Sequence, residues 1–417
     1  MDTLIKQDKK LAVALSFALY IIAFFSYSVL LFISIPTPVY YALLLSAGCL
    51  AAVSGKKLNF SMPQLIFLSI CIVNILTHNI PTAIQPWSRF GLLALLVIFI
   101  GGGTRSDDFT ALRKKLFFMI ANILLICSAL SLFFYLTGIT FPGGRGVVYG
   151  LFRHSMILGP LAGFSVIWGF SRAKSGTERE KYLYLSLTVL AFGSCLLSGS
   201  RAAVFATVLG AGIQLLRSSK LWIAIMILLV SGLLLWEGYE KTINAIPFAQ
   251  NIIEKQEANL HRGSTFASRE SMWLLQIQCI QEAPVSGIGF GYLFGAEDSD
   301  SVEPGSSWLF ICSTLGIIGL LGFLLIYGRL FLSLYPNLAD GGESYLLFSE
   351  LIFWGAHMCF EGYILSAGSP LAFLAWLTIG RTQDFLIENK IIANHVTAKK
   401  QVGVLYENYS SCPRNLK

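Results

Sequence analysis

Residues 116–138 read LFFMIANILLICSALSLFFYLTG and decide the fold class, because the whole run contains no charged side chain. A helix needs about 20 apolar residues to cross the hydrocarbon core of a bilayer. Across the chain, 55% of the 417 residues are hydrophobic, 13% are charged and the mean hydropathy is +0.68. A soluble protein would carry about 25% charged residues. The sequence therefore predicts an integral membrane protein and excludes a soluble enzyme, a disordered protein or a nucleic-acid-binding protein.

Similar apolar runs recur along the chain and predict an all-α polytopic membrane protein with about 12 transmembrane helices. The predicted spans are 11–35, 39–54, 60–77, 86–103, 116–138, 154–171, 183–199, 201–216, 221–237, 307–333, 344–361 and 364–380. One large loop separates the ninth and tenth spans. The predicted organisation is nine spans in 1–237, the loop in 238–306, three spans in 307–380 and a tail in 381–417.

The basic residues predict the orientation of these spans. Twelve spans put both termini on one side, and that side then carries 22 of the 30 Lys and Arg residues. Lys and Arg are enriched in cytoplasmic segments, so both termini are predicted to be cytoplasmic. The large loop is then predicted to lie on the outer side of the membrane. The eight outer basic residues are Arg89, Arg145, Arg153, Arg201, Lys241, Lys255, Arg262 and Arg269.

Two outer features concentrate polar residues near apolar segments. In the large loop, the pattern from Ser268 to Glu282 predicts a helix, which Pro284 and the glycines after it would end. At Ser198-Gly-Ser-Arg201, Ser200 is predicted to cap the eighth span and Arg201 to occupy its first turn. The positive end of a helix attracts anions, and a guanidinium binds phosphate through paired donors. An arginine that only snorkels at the interface is the alternative for each position.

These segments resemble the O-antigen ligase and polymerase superfamily of bacterial envelope glycan enzymes. The resemblance rests on the order of several short motifs. They are Ser-Gly-Ser-Arg201, Arg269 to Trp273, Pro284 with Gly-Ile-Gly-Phe-Gly at 287–291, Leu315-Gly-Ile-Ile-Gly-Leu-Leu-Gly322, and Phe360-Glu361-Gly-Tyr followed by Gly368-Ser. The resemblance implies an enzyme that moves a glycan from undecaprenyl diphosphate to an acceptor hydroxyl at the periplasmic face of the inner membrane.

One departure from the family pattern favours a polymerase over a ligase. The ligase pattern has a His just before the Gly-x-x-Gly span, and the aligned position here is Gly305. A polymerase joins lipid-linked repeat units, whereas a ligase transfers the glycan to lipid A core. A lipid-linked oligosaccharide flippase is the alternative from another class. It would place ionisable residues near the membrane midplane and often contain internal repeats, which the sequence does not favour.

The predicted site combines a diphosphate clamp with a general base. Arg201 and Arg269 would stabilise the charge that develops on the leaving diphosphate. Glu361 is the first candidate for the base, and His261 and Glu270 are the alternatives. The remaining candidates for substrate binding are Arg145, Arg153, Ser200, Arg262 and Trp273. No metal or other cofactor is expected, and the expected partners are the lipid-linked glycan, membrane lipids and a chain-length regulator, with no nucleic acid.

Overall fold

The computed structural model describes residues 2–27, 29–54, 58–78, 84–139, 149–216, 267–291 and 304–389. The described chain is mainly helical, and its one sheet pairs β1 (Asn59–Phe60) with β2 (Thr104–Arg105) in antiparallel register. The helices are α1 (Asp2–Tyr27), α2 (Thr37–Ser54), α3 (Met62–Thr77), α4 (Ile84–Leu95, continued by a π-helical turn at Leu96–Ile100), α5 (Asp107–Leu136), α6 (Ser155–Ser175), α7 (Glu178–Leu197), α8 (Arg201–Leu216), α9 (Ala267–Glu282), α10 (Ser307–Leu334), α11 (Glu343–His357) and α12 (370–389).

The helices confirm an all-α membrane protein, while the number of spans remains a prediction. By length and composition alone, four described helical segments could cross a membrane, namely Lys9–Tyr27, Asp107–Leu136, Ser155–Ser175 and Ser307–Leu338, although the last is interrupted at Gly316. Shorter apolar helices lie at Thr37–Val53, Met62–Thr77, Pro86–Ile100 and Arg201–Gln214. The predicted span at 221–237 and most of the predicted loop lie outside the described residues.

Side-chain caps explain where several of these helices begin. The hydroxyl of Ser106 accepts a hydrogen bond from the Phe109 amide at the start of α5. Thr177 and Glu180 form a reciprocal capping box at the start of α7. His154 caps α6, because its Nδ1 accepts from the Met156 amide at 3.1 Å. Each cap satisfies backbone donors that have no partner within the helix.

Close contacts between small residues hold α6, α8 and α11 together. A Cβ atom added to Gly163 of α6 would lie 2.1 Å from the Oγ1 of Thr207 on α8. A Cβ atom on Gly210 of α8 would lie 2.9 Å from the carbonyl oxygen of Ser349 on α11. Small residues allow such close approach of helix backbones in membranes. This packing fixes the position of α8 relative to α11.

The last helix lies further along the chain than predicted. The predicted span was 364–380, but α12 covers 370–389. Pro370 suits a first helical position, and the Ser369 hydroxyl accepts from the Leu371 amide at 3.3 Å. Beyond the predicted end, Asp384 is buried and accepts two hydrogen bonds of 2.7 Å from the buried Arg113 of α5. The helix therefore continues past the last residue of the apolar run, because the charge at Asp384 is paired and buried rather than solvated.

Helix α10 turns back on itself at Gly316. The Trp308 ring lies 5.5 Å from the Phe323 ring and 5.6 Å from the Tyr327 ring, between centroids. In a straight helix these residues would be separated by about 22 and 28 Å at 1.5 Å per residue. Gly316 has φ 67° and ψ −170°, which is not helical. The predicted span at 307–333 is therefore two antiparallel segments, 307–315 and 317–334, that form a helical hairpin with its tip at Gly316.

The loop after α9 packs its backbone directly against this tip. A Cβ atom on Gly316 would lie 2.1 Å from the carbonyl oxygen of Val285, and one on Gly287 would lie 2.4 Å from that of Thr314. The Asn74 side chain, near the end of α3, donates to the Ser286 carbonyl oxygen at 2.6 Å. The glycine-rich motif at 287–291 thus has a structural role here, since only residues without a side chain allow this approach.

Candidate functional site

Arg201 and Arg269 both lie in the first turn of a helix. Helix α8 begins at Arg201, and the Ser200 hydroxyl accepts from the Ala203 amide at 3.4 Å, as predicted for a cap. Gly199, with φ 69°, makes the sharp turn that separates α7 from α8. The Arg201 side chain is exposed. Helix α9 begins at Ala267, which confirms the helix predicted in the large loop and puts Arg269 in its first turn.

Phe360 brings the beginnings of these two helices together. Its ring lies 5.9 Å from the ring of Phe205 and 6.2 Å from the ring of Trp273, between centroids. Phe205 follows Arg201 by one helical turn, and Trp273 follows Arg269 by one turn, so each aromatic residue shares a helix face with its arginine. The tertiary structure therefore brings the first turns of both helices, which carry the two arginines, to the segment that follows α11. Nothing in the sequence around Phe360 predicts its position between α8 and α9.

Arg269 forms an ion pair with Glu361, the residue after Phe360. The arginine Nη2 donates to the Oε1 of Glu361, and the two side chains are 26% and 20% exposed. The Glu361 backbone is fixed as well, because its carbonyl oxygen accepts from the Ser307 hydroxyl at 2.6 Å. The predicted base and one half of the predicted clamp are thus direct partners. Whether either group acts in catalysis stays a prediction.

Trp273 attaches α9 to the beginning of α10. Its indole Nε1 donates to the Gly305 carbonyl oxygen at 2.9 Å. A Cβ atom on Gly305 would lie 2.9 Å from the Trp273 ring, which is closer than real Cβ contacts. The position aligned with the ligase histidine is therefore occupied by a neighbouring indole ring. Any side chain at this position would have to displace Trp273.

Tyr363 and His357 lie beside the ion pair. The Tyr363 hydroxyl is 3.2 Å from the Nδ1 of His357, and both residues are buried. Burial raises the pKa of the Tyr363 phenol, and the nearby Tyr327 and Glu361 add to the effect. The phenol is therefore neutral and available for hydrogen bonding. His357 is fully buried, as expected for a packed polar residue.

The other predicted residues are not joined to this cluster by the contacts of the described residues. Arg153 precedes α6, and its Nη1 donates to the Ser34 hydroxyl at 3.3 Å, which ties it to the connection between α1 and α2. Arg145, His261 and Arg262 lie outside the residues whose structure or side chains are described. Within the described residues, no group of three or more His, Cys, Asp or Glu side chains could hold a metal ion.

Fold and site together define a helical membrane protein that gathers two arginines and a glutamate around one aromatic residue. A model of the protein family described as O-Antigen ligase matches residues 186–324, a third of the chain. The match includes Arg201, Arg269, Trp273 and Gly316, and it confirms the resemblance to the O-antigen ligase and polymerase superfamily. No curated protein matches the chain at a significant level. The matched residues do not reach Glu361.

Proposed function

We propose that this protein polymerises undecaprenyl-diphosphate-linked oligosaccharide repeat units at the periplasmic face of a bacterial inner membrane. The observation that carries the proposal is that the first turns of α8 and α9, which carry Arg201 and Arg269, meet at Phe360 beside Glu361. Two guanidinium groups at helix N-termini suit a diphosphate, because the helix ends and the charges attract the same anion. The family match supports the same chemistry, since it covers both arginines.

In the proposed reaction, the oxygen of an acceptor hydroxyl attacks C1 of the donor sugar. The bond between C1 and the diphosphate oxygen breaks, and the diphosphate leaves with the electron pair. Arg201 and Arg269 stabilise the charge that develops on that oxygen. The hydroxyl proton passes to a base, for which Glu361 is the first candidate and His261 another. The ion pair gives Glu361 a second role, because it orients Arg269.

The position of the Trp273 ring favours the assignment as a polymerase over the assignment as a ligase. The ligase motif has a His at the position of Gly305, and here the Trp273 ring leaves no room for a side chain. The O-antigen ligase description of the matching family keeps ligation to lipid A core as the second candidate. Either reaction uses the same donor and the same clamp, so only the acceptor distinguishes them.

The proposal can be tested with purified full-length protein and a defined lipid-linked repeat unit, without added nucleotide. Oligomers of the repeat unit are expected for a polymerase. A second reaction contains lipid A core as an additional acceptor. Transfer to the core without formation of oligomers would instead identify a ligase. Unchanged substrate in both reactions, with protein that remains folded, would contradict glycosyl transfer altogether.

A further inference from the structure

Three buried polar atoms near the Arg269–Glu361 pair have no hydrogen-bond partner within the described residues. They are the Nη1 of Arg269, the Oε1 of Gln276 and the Nε2 of His357. The side chains of Gln276 and His357 are fully buried. Buried polar atoms in native proteins are nearly always hydrogen-bonded, so each exception requires a partner. The three residues lie on the segments that meet at this ion pair.

A chain of hydrogen bonds links the segments that carry these side chains. Arg269 and Gln276 are two turns apart on the same face of α9. The Nε2 of Gln276 donates to the Ser306 carbonyl oxygen at 3.4 Å, and the Ser306 hydroxyl donates to the carbonyl oxygen of Met358 at 3.1 Å. Met358 follows His357 directly. The Glu361 amide donates to the His357 carbonyl oxygen at 3.1 Å, which completes the ring of contacts back to Arg269.

The unpartnered atoms differ in hydrogen-bonding character. The Nη1 of Arg269 can only donate. The Oε1 of Gln276 can only accept, because its Nε2 is the atom that faces the Ser306 carbonyl oxygen. In the tautomer with the proton on Nδ1, the Nδ1–H of His357 donates a hydrogen bond to the Tyr363 hydroxyl. The Nε2 of His357 is then an acceptor. The group therefore offers one donor and up to two acceptors.

We propose that these atoms form the subsite that holds the acceptor hydroxyl, an inference that rests on the proposed glycosyl transfer. A sugar hydroxyl has one donor and two lone pairs. In the bound state its oxygen accepts from the Nη1 of Arg269, and its proton points to the Oε1 of Gln276 or the Nε2 of His357 before it passes to the base during transfer. A phosphate or carboxylate does not fit this group, because its oxygens would face the lone pairs of both acceptors. Arg269 thereby contacts the donor diphosphate on one side and the acceptor hydroxyl on the other.

The test uses Gln276→Met and His357→Phe in the full-length protein. Gln278→Met is the matched control, because Gln278 lies on the same helix with an exposed side chain. Transfer is measured at fixed labelled donor while the unlabelled acceptor repeat unit is titrated. The apparent KM for the acceptor should rise roughly tenfold or more in both test variants, since each loses a hydrogen bond to the hydroxyl. The control should differ from the wild type by less than twofold.

Farnesyl diphosphate serves as a probe of the donor site. Both test variants should still be stabilised against thermal unfolding by this compound, which shows that the clamp and the fold are intact. An acceptor KM within twofold of the wild type in both variants would overturn the hydroxyl subsite, and would indicate that buried water satisfies these atoms. If Gln276→Met does not fold, Gln276→Glu keeps an acceptor oxygen and should retain more transfer than His357→Phe. Equal loss in those two variants would also overturn the subsite.

Failure of the proposed glycosyl transfer and failure of the hydroxyl subsite give different experimental results. Wild-type protein that forms neither oligomers nor core-linked product would contradict glycosyl transfer, whatever the variants do. Wild-type protein that transfers normally, with test variants that have an unchanged acceptor KM, would contradict only the hydroxyl subsite.

Discussion

Arg269 and Glu361 form an ion pair although 92 positions separate them in the sequence. The pair joins the helix of the large loop to the segment after α11, and the backbone of Glu361 is in turn bonded to Ser307 at the start of α10. Three elements that are distant in the chain therefore meet at one guanidinium group. This arrangement makes the orientation of Arg269 dependent on Glu361.

Replacement of either arginine in the proposed clamp should abolish long-chain product. Arg201→Ala and Arg269→Ala each remove a donor to the leaving diphosphate, and loss of one such donor typically lowers kcat by about 10²–10³-fold. Arg201→Lys should also fail, because it keeps the charge but loses the paired donors. The measurement is the chain-length ladder of the product at equal protein level. Arg179→Ala, at an exposed position in the first turn of α7, is the control. If Arg201→Lys gives the same chain-length ladder as the wild type, Arg201 acts only as a membrane anchor.

Glu361→Gln should lower transfer roughly tenfold or more, because it removes the charge that orients Arg269. The double variant Glu361→Gln with Arg269→Gln should be no worse than Arg269→Gln alone if the two residues act as one unit. Initial rates of oligomer formation by the wild type and the three variants give the coupling energy between Glu361 and Arg269. Strictly additive losses would show that Glu361 acts independently of Arg269, for example as the base.

Gly316→Ala should destabilise the helical hairpin of α10. Its φ of 67° is unfavourable for alanine, and the new Cβ atom would lie 2.1 Å from the Val285 carbonyl oxygen. A loss of about 3 kcal/mol or more in the free energy of unfolding is expected from such a backbone clash. Thermal unfolding in detergent measures the effect. Gly328→Ala is the control, because a Cβ atom there meets nothing within 4 Å. Equal stability of the two variants would argue against the hairpin.

Arg113→Met should destabilise the protein by about 3–5 kcal/mol, because it leaves the buried Asp384 carboxylate without its partner. Both side chains are at most 1% exposed. Lys114→Met, at the next position, should change stability by less than about 1 kcal/mol, since the Lys114 side chain is 42% exposed and lies 4.0 Å from Glu343. The comparison of the two variants in one unfolding assay isolates the buried pair. Similar values for both would contradict the burial of α12 beyond residue 380.

Local sequence patterns were sufficient to predict several features of the described chain. The helix in the large loop, its end before the glycine-rich motif, and the start of α8 at Arg201 with Ser200 as its cap all follow from neighbouring residues. The twelfth helix was placed too early, because Arg381 and Asp384 were treated as the beginning of a solvated tail. Their burial depends on partners on other helices, Glu343 and Arg113.

The sequence by itself determined that this is a membrane protein, where most of its apolar helices lie and which arginines are candidates for a phosphate site. These properties depend on hydropathy, charge and capping, which act over a few residues. Only the tertiary structure decided that α10 folds back at Gly316, that Trp273 covers Gly305, and that Arg269 meets Glu361. A Gly-x-x-Gly run is equally compatible with a straight span. The choice depends on backbone contacts with Val285 and Ser286, and hydropathy carries no information about contacts between such distant segments.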